Sequence, residues 1–122
     1  MTHIIIIFYY DDYGDLVFSR KDVSSGVHHY FDSDGNLMLV VNAKGNSGLG
    51  DMSSKYRRYY FFENGEMIFA LCEGTPNHRL YFYKGRLMRW TSNDIAEDYT
   101  YSDEFLMWEQ LVTDELAYLG FQ

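Results

Sequence analysis

The sequence contains very little cysteine or proline and no long hydrophobic run. One cysteine, Cys72, excludes an internal disulfide, and one proline beside ten glycines argues against a disordered chain. The longest apolar run, residues 4–10, is far shorter than the ~20 residues of a membrane helix. It also lacks the basic start and small-residue cleavage site of a signal peptide. These absences predict one soluble domain over residues 1–122, located in the cytoplasm and without a membrane partner.

Basic residues are missing from the last part of the chain. Residues 90–122 carry eight acids and no base, residues 55–89 carry seven bases and three acids, and the whole chain has net charge −8. A chain this acidic is repelled by phosphate backbones, so direct nucleic-acid binding is not expected. Two interpretations stay open. Either the acidic segment neutralises the basic hairpins within the fold, or it contacts a basic partner protein as nucleic-acid mimics do.

Aromatic residues are abundant, with 12 Tyr and 9 Phe, and they follow a repeated pattern. Four times an aromatic-rich run meets a turn glycine and is followed by Leu or Met. The turn glycines are Gly14, Gly35, Gly65 and Gly85. Each copy is typical of a β-hairpin. The pattern predicts hairpins over residues 4–20, 27–42, 56–72 and 79–91, which form an antiparallel meander of about eight strands, twisted or partly closed.

The last segment changes to a helical period. Its apolar residues form one stripe, made of Phe105, Trp108, Val112, Leu116 and Leu119 with Leu111 beside them. Ser102 is a suitable N-cap and Gly120 a suitable C-terminal stop. We therefore predict an amphipathic helix over residues 103–119 that packs on the sheet, which makes the fold α+β.

Catalytic and metal-binding patterns are weak. His28 and His29 are adjacent in a predicted strand, so their side chains point to opposite faces and do not chelate one ion. The sequence has no Gly-x-Ser-x-Gly motif and no metal-ligand spacing. Cys72 lies in an alternating run that predicts a buried thiol. No catalytic residue, metal or cofactor is expected.

Arginines and aromatic residues are interleaved on the third and fourth hairpins. On one sheet face they would stack a base and hold a phosphate. The candidate ligand-binding residues are Arg57, Arg58, Tyr59, Arg79, Tyr81, Arg89 and Trp90. The same pattern is also typical of structural cross-strand packing, in which arginine stems cover rings.

Three other segments are candidate partner surfaces. Residues 42–55 form a long loop with three glycines, a length that is often functional. The acidic residues that follow the fourth hairpin form the second, and residues 4–10 are a hydrophobic edge strand suited to a homodimer. The candidate partner-binding residues are Gly45, Gly48, Gly50, Asp94, Glu97 and Asp98.

Residues 59–90, with Glu104-Phe105 and Trp108-Glu109 in the following helix, carry a resemblance to known proteins. They resemble a group of uncharacterised hairpin-repeat proteins of Firmicutes. The shorter Y-x-x-(N)G-x-[LM] unit is similar to MORN-like hairpin repeats of antitoxin-type proteins. The resemblance implies no catalytic residue, and the MORN-like repeats imply contacts with protein or lipid.

The sequence as a whole favours a small non-catalytic binding module that contacts another protein. One alternative is an acidic inhibitor from a phage or mobile element that blocks a nucleic-acid-handling or defence protein. The other is a protein that binds or sequesters a small anionic ligand such as a nucleotide.

Overall fold

The computed structural model describes residues 4–24, 26–43, 57–74, 77–92, 95–96 and 102–121. Within these residues nine strands form one sheet, and a helix follows them. The strands are β1 (Ile5–Tyr10), β2 (Leu16–Ser24), β3 (Val27–Asp32), β4 (Leu37–Asn42), β5 (Arg58–Glu63), β6 (Glu66–Cys72), β7 (His78–Tyr83), β8 (Arg86–Ser92) and β9 (Ile95–Ala96), and the helix is α1 (Asp103–Tyr118).

Each strand pairs antiparallel with its neighbour in sequence, so the order in the sheet is the order in the chain. The predicted α+β meander with a C-terminal helix is confirmed. Of the two sheet forms that the sequence left open, the structure has the unclosed one, with β1 and β9 as the margins of the described sheet. The short β9, which pairs with β8 at Thr91 and Ala96, was not predicted.

The hairpin turns have two designs. In the third hairpin Asn64 and Gly65 have φ values of 52° and 82°, the paired positive values of a tight hairpin turn. In the second hairpin Asp32 closes the turn instead, because its Oδ1 accepts the N–H groups of Asp34 and Asn36 at 2.9 and 2.8 Å. Each design fixes which strand residues face each other.

The helix begins where the sequence predicts. Ser102 Oγ accepts the N–H of Phe105 at 3.2 Å, and Gly120 has the positive φ of 93° that suits a helix end. The apolar stripe of α1 packs on one side of the sheet, which we call the covered face. One register row of that face forms the centre of the core, and its members are Val40, Tyr60, Ala70, Leu80 and Trp90.

Side chains alternate along each strand, so the residues between the core positions form a second surface, which we call the open face. One register row of the open face consists of Asp22, His28, Val41, Tyr59, Leu71, Arg79 and Thr91. The next row consists of Arg20, Tyr30, Leu39, Phe61, Phe69, Tyr81 and Arg89. Within the described part of the chain, no helix is long and apolar enough to cross a membrane.

Candidate functional site

The candidate ligand-binding residues are divided between the two faces. Five of them share the open face, as the predicted surface requires, namely Arg57, Tyr59, Arg79, Tyr81 and Arg89. The other two, Arg58 and Trp90, lie on the covered face and are 1% and 3% exposed. Alternation along the strand causes this division, because both are sequence neighbours of open-face residues.

Arg58 belongs to a buried polar cluster under the helix, which corrects its assignment to a ligand surface. Its Nε donates to Oε1 of Glu115 at 2.8 Å. The same oxygen accepts the Asn42 amide at 3.0 Å and the Tyr60 hydroxyl at 2.8 Å. Glu115 is fully buried. The cluster therefore fixes α1 against β4 and β5, and the guanidinium is enclosed by the protein.

Trp90 is also structural. Its indole Nε1 donates to His78 Nδ1 at 3.0 Å, and its ring lies 6.4 Å from that of Trp108 on α1. The indole is thus held in the interface between β8 and the helix. Its assignment as a ligand-binding residue is corrected for the same reason as that of Arg58.

On the open face, Arg57 and Tyr59 line a hollow of about 220 Å³, which we call the arginine–tyrosine pocket. Its other lining residues are Arg20, His28, Tyr30, Val41 and Ala43. Sheet register explains the convergence. His28, Val41 and Tyr59 face one another across β3, β4 and β5, and Arg20 faces Tyr30 across β2 and β3.

The arginines of the pocket are held by neighbouring side chains. Arg20 Nε lies 2.9 Å from Oδ1 of Asp22, and the His28 Nδ1 lies 2.6 Å from the same oxygen. The hydrogen bond from His28, and after it the contact with Arg20, keeps the pKa of Asp22 below its ordinary value. Because an ionised carboxylate only accepts hydrogen bonds, the His28 proton lies on Nδ1.

Arg57 interacts with Tyr59, two residues further along the chain. A hydrogen bond with the Tyr59 side chain raises the pKa of the Arg57 guanidinium. The charged residues that line the pocket, Arg20 and Arg57, are therefore both positive, while the carboxylates of Asp22 and Glu73 interact with them from outside the lining. This arrangement suits an anion.

A row of aromatic rings continues the open face beyond the pocket. The ring centroids of Phe61 and Phe69 are 5.5 Å apart, and those of Phe69 and Tyr81 are 5.0 Å apart. Tyr81 is 40% exposed and faces Arg89 across β7 and β8. The row lies in the same register as Tyr30 of the pocket, so rings and arginines form one surface across the sheet.

Sequence reasoning missed Arg20, His28 and Tyr30, the contributions of the first two hairpins. The signal was the spacing of two between Arg20 and Asp22 and between His28 and Tyr30, which places each pair on one face of its strand. The prediction favoured β5–β8 instead because of the arginines in the later hairpins.

A larger cleft of about 590 Å³ lies between the end of α1 and the turns of the last two long hairpins. Its walls are mainly Phe62, Met67, Phe82, Leu116 and Phe121. Volume alone would favour this cleft as a site. Its charged lining residues, Glu66 and Lys84, have opposite signs and provide no matching set of donors, so we prefer the smaller pocket.

The remaining predicted partner residues lie outside the described residues. These are Gly45, Gly48, Gly50, Asp94, Glu97 and Asp98. Their partner-binding role stays a prediction. The segment of residues 44–56 connects Ala43 to Arg57, two residues that line the pocket.

Known proteins add no information about the site. No family model, no curated protein and no solved structure matches the chain. The resemblance to hairpin-repeat proteins of Firmicutes and to MORN-like repeats therefore stays a prediction, and the function has to be inferred from geometry.

Proposed function

We propose that the protein is a small non-catalytic binding module that holds an anionic small ligand in the arginine–tyrosine pocket. The observation that carries the proposal is the convergence of the Arg20 and Arg57 side chains on one hollow of about 220 Å³. Guanidinium groups match the oxygens of phosphate and sulfate in geometry and charge. The expected ligand therefore carries a phosphate or sulfate group.

The local charge of the pocket supports a small anion over a polymer. The chain has net charge −8, whereas the charged residues that line the pocket, Arg20 and Arg57, are both positive. Charges beyond a Debye length of about 8 Å are largely screened at physiological salt. A small anion in the pocket is governed mainly by the two arginines, while a long nucleic acid also meets the acidic remainder of the chain.

The aromatic residues indicate the rest of the ligand. Tyr30 and Tyr59 line the pocket, and the ring row of Phe61, Phe69 and Tyr81 lies beside it. Faces of aromatic rings stack on nucleobases. A nucleoside monophosphate has both the anion and the ring, so it is the ligand class that fits best.

The lining residues favour binding over covalent catalysis. Among the described residues that line the pocket there is no serine, threonine or cysteine. A covalent mechanism based on a hydroxyl of serine or threonine or on a thiol would need such a residue beside its base. The Asp22–His28 pair then serves to hold Arg20 and the pocket wall in place.

Isothermal titration calorimetry with AMP, inorganic phosphate and uncharged adenosine tests the proposal. We expect AMP to bind, phosphate to bind more weakly and adenosine to give no signal. Arg57→Gln should weaken AMP binding roughly tenfold or more, because a hydrogen bond to a charged group contributes about 1.5–3 kcal/mol. Arg57 is exposed, so this change should leave the fold intact.

Arg86→Gln is the matched control. Arg86 is an exposed arginine that pairs with Glu109 at 3.1 Å and lies outside the pocket. It should bind AMP as the unchanged protein does. Absence of binding by every anion at millimolar concentration, or equal losses in both variants, would contradict the proposal.

A further inference from the structure

β1 is an edge strand of the described sheet. We propose that β1 pairs antiparallel with β1 of a second copy, which joins two sheets into one. The pairing does not depend on what the pocket binds.

The position of β1 supplies the backbone groups for such pairing. It is the first strand of the sheet and pairs only with β2 among the described strands. Every second residue of an edge strand turns its N–H and C=O outward, where another strand is able to bind them. Six residues at about 3.4 Å each give an edge of roughly 20 Å.

The side chains of β1 favour a protein partner over water. Its sequence, IIIFYY, has no charge and no proline. Ile5, Ile6 and Phe8 are 54%, 52% and 54% exposed. Natural edge strands that stay unpaired are usually protected by a lysine, a proline or very short length. Two-residue β9, at the other margin, is short in this way, whereas β1 has none of these protections.

Charge near β1 favours the antiparallel orientation of two copies over the parallel one. The turn after β1 carries Asp11, Asp12 and Asp15. A parallel pair would bring two of these acidic turns side by side. The antiparallel pair separates them by about the length of the strand, roughly 20 Å, which exceeds the Debye length.

The apolar strand is complementary to itself in this orientation. With the twofold axis at the middle of the strand, the isoleucines of one copy face the aromatic residues of the other, and such cross-strand pairs stabilise sheets. The contact is isologous, so it closes at two copies. A twofold axis perpendicular to the sheet places both α1 helices on one side and both open faces on the other.

One consequence rests on the proposed function. The pocket is built by β2, β3, β4 and β5, about three strand spacings from the twofold axis. At about 4.8 Å per strand, two pockets would lie roughly 30 Å apart on one surface. A failure of AMP binding would remove this consequence and leave the dimer unaffected.

Size-exclusion chromatography with light scattering tests the dimer. The chain has a mass of 14.4 kDa, and we expect about twice that value across the micromolar range. Phe8→Lys places a charge at the centre of the edge and should give a monomer. Ile6→Glu provides a second test, because its carboxylate faces Lys21 of β2, which keeps the monomer folded.

Met88→Lys is the matched control, since Met88 is a 59% exposed apolar residue on β8. It should remain a dimer. Circular dichroism confirms that each variant is folded. A monomer for the unchanged protein up to millimolar concentration, a dimer that persists in both β1 variants, or assemblies larger than two would overturn the proposal.

Discussion

The two faces of the sheet use neighbouring residues of the same type for different purposes. Arg57 is exposed and lines the pocket, while Arg58 is 1% exposed and pairs with Glu115. Tyr59 lines the same pocket, while Tyr60 is fully buried and donates to Glu115. Position on the strand, and not residue type, therefore decides whether a residue serves the fold or the open face.

The difference between the faces is also energetic. On the covered face, a carboxylate and a guanidinium have lost their water, so each depends on the other and on Asn42 and Tyr60. On the open face, Arg20 and Asp22 keep 27% and 23% of their side-chain exposure. When such an exposed pair is broken, solvent compensates for much of the lost interaction, so the pair contributes little to the free energy of unfolding.

The largest contrast is expected from replacing the two arginines in turn. Arg58→Ala leaves the buried Glu115 carboxylate without its counter-charge and should lower the free energy of unfolding by about 3–5 kcal/mol. Arg57→Ala removes an exposed side chain and should leave the free energy of unfolding almost unchanged. Urea denaturation of both variants measures the contrast. Similar losses in the two variants would contradict the division of the faces.

A double variant separates lost charge pairing from lost volume. Arg58→Met with Glu115→Leu removes both charges and keeps apolar bulk. It should be more stable than Arg58→Ala alone, because replacing a complete buried ion pair is often neutral. A double variant less stable than the single one would show that the hydrogen bonds from Asn42 and Tyr60 to Glu115, which it also removes, outweigh the cost of the unpaired charge.

Replacing Tyr60 and Tyr59 in turn should give a contrast in stability of intermediate size. Tyr60→Phe removes a hydroxyl that donates to Glu115 at 2.8 Å and should cost about 1.5–3 kcal/mol. Tyr59→Phe on the open face should cost about 0.5 kcal/mol or less. Thermal and urea unfolding of the two variants provide the measurement, and a larger loss for Tyr59→Phe would reverse the expected order.

Replacing Asp22 should give the smallest loss of stability, and that loss should depend on pH. Contacts with His28 and then Arg20 lower the folded-state pKa of Asp22 below the ordinary 3.8. Its stabilising contribution is therefore present above pH 3.8 and is lost as the pH falls through the lower folded value. Asp22→Asn should be less stable than the unchanged protein near neutral pH, and the difference should shrink in acid.

Asp34→Asn, which changes an exposed turn carboxylate, is the control for removing one negative charge. Unfolding curves at several pH values measure both variants. A constant difference between Asp22→Asn and the unchanged protein across the acid range would contradict the role of the Asp22 contacts.

The hairpins and the helix were predictable because local signals set their limits. Asn64 and Gly65 mark the turn of the third hairpin, and Ser102 and Gly120 mark the two ends of the helix. The structure has these boundaries within a residue or two of the predicted ones. Strand β2 extends to Ser24, beyond the predicted end at residue 20. Pairing with β1 and β3 keeps these last residues in the sheet, although they include polar residues and show no apolar alternation.

Glu115 shows why the buried cluster was harder to predict. It lies on the same stripe of α1 as Trp108 and Val112, at spacings of seven and three, yet the predicted stripe contained only apolar residues and did not include it. Its burial depends on Arg58 and Tyr60, which are 57 and 55 residues away in sequence. Such a partnership appears only when the register of β4 and β5 against the helix is known.

Only part of the pocket was predicted, for a similar reason. Arg57 and Tyr59 lie in one short motif, but Arg20 and His28 reach them only through the pairing of four successive strands. The β2–β3 and β3–β4 pairs also shift register just beyond the pocket residues, after Asp22 and after Tyr30. A one-residue slip changes the face of every side chain, so sequence alone did not fix the set.

The most direct test of binding on the open face is a two-dimensional amide NMR titration with AMP. We predict that the shifts concentrate at Arg20, His28, Tyr30, Arg57 and Tyr59 on the open face. Amides of the large cleft, including Phe62, Leu116 and Phe121, should remain unchanged. Shifts concentrated in that cleft, or none at saturating AMP, would contradict the assignment of binding to the open face.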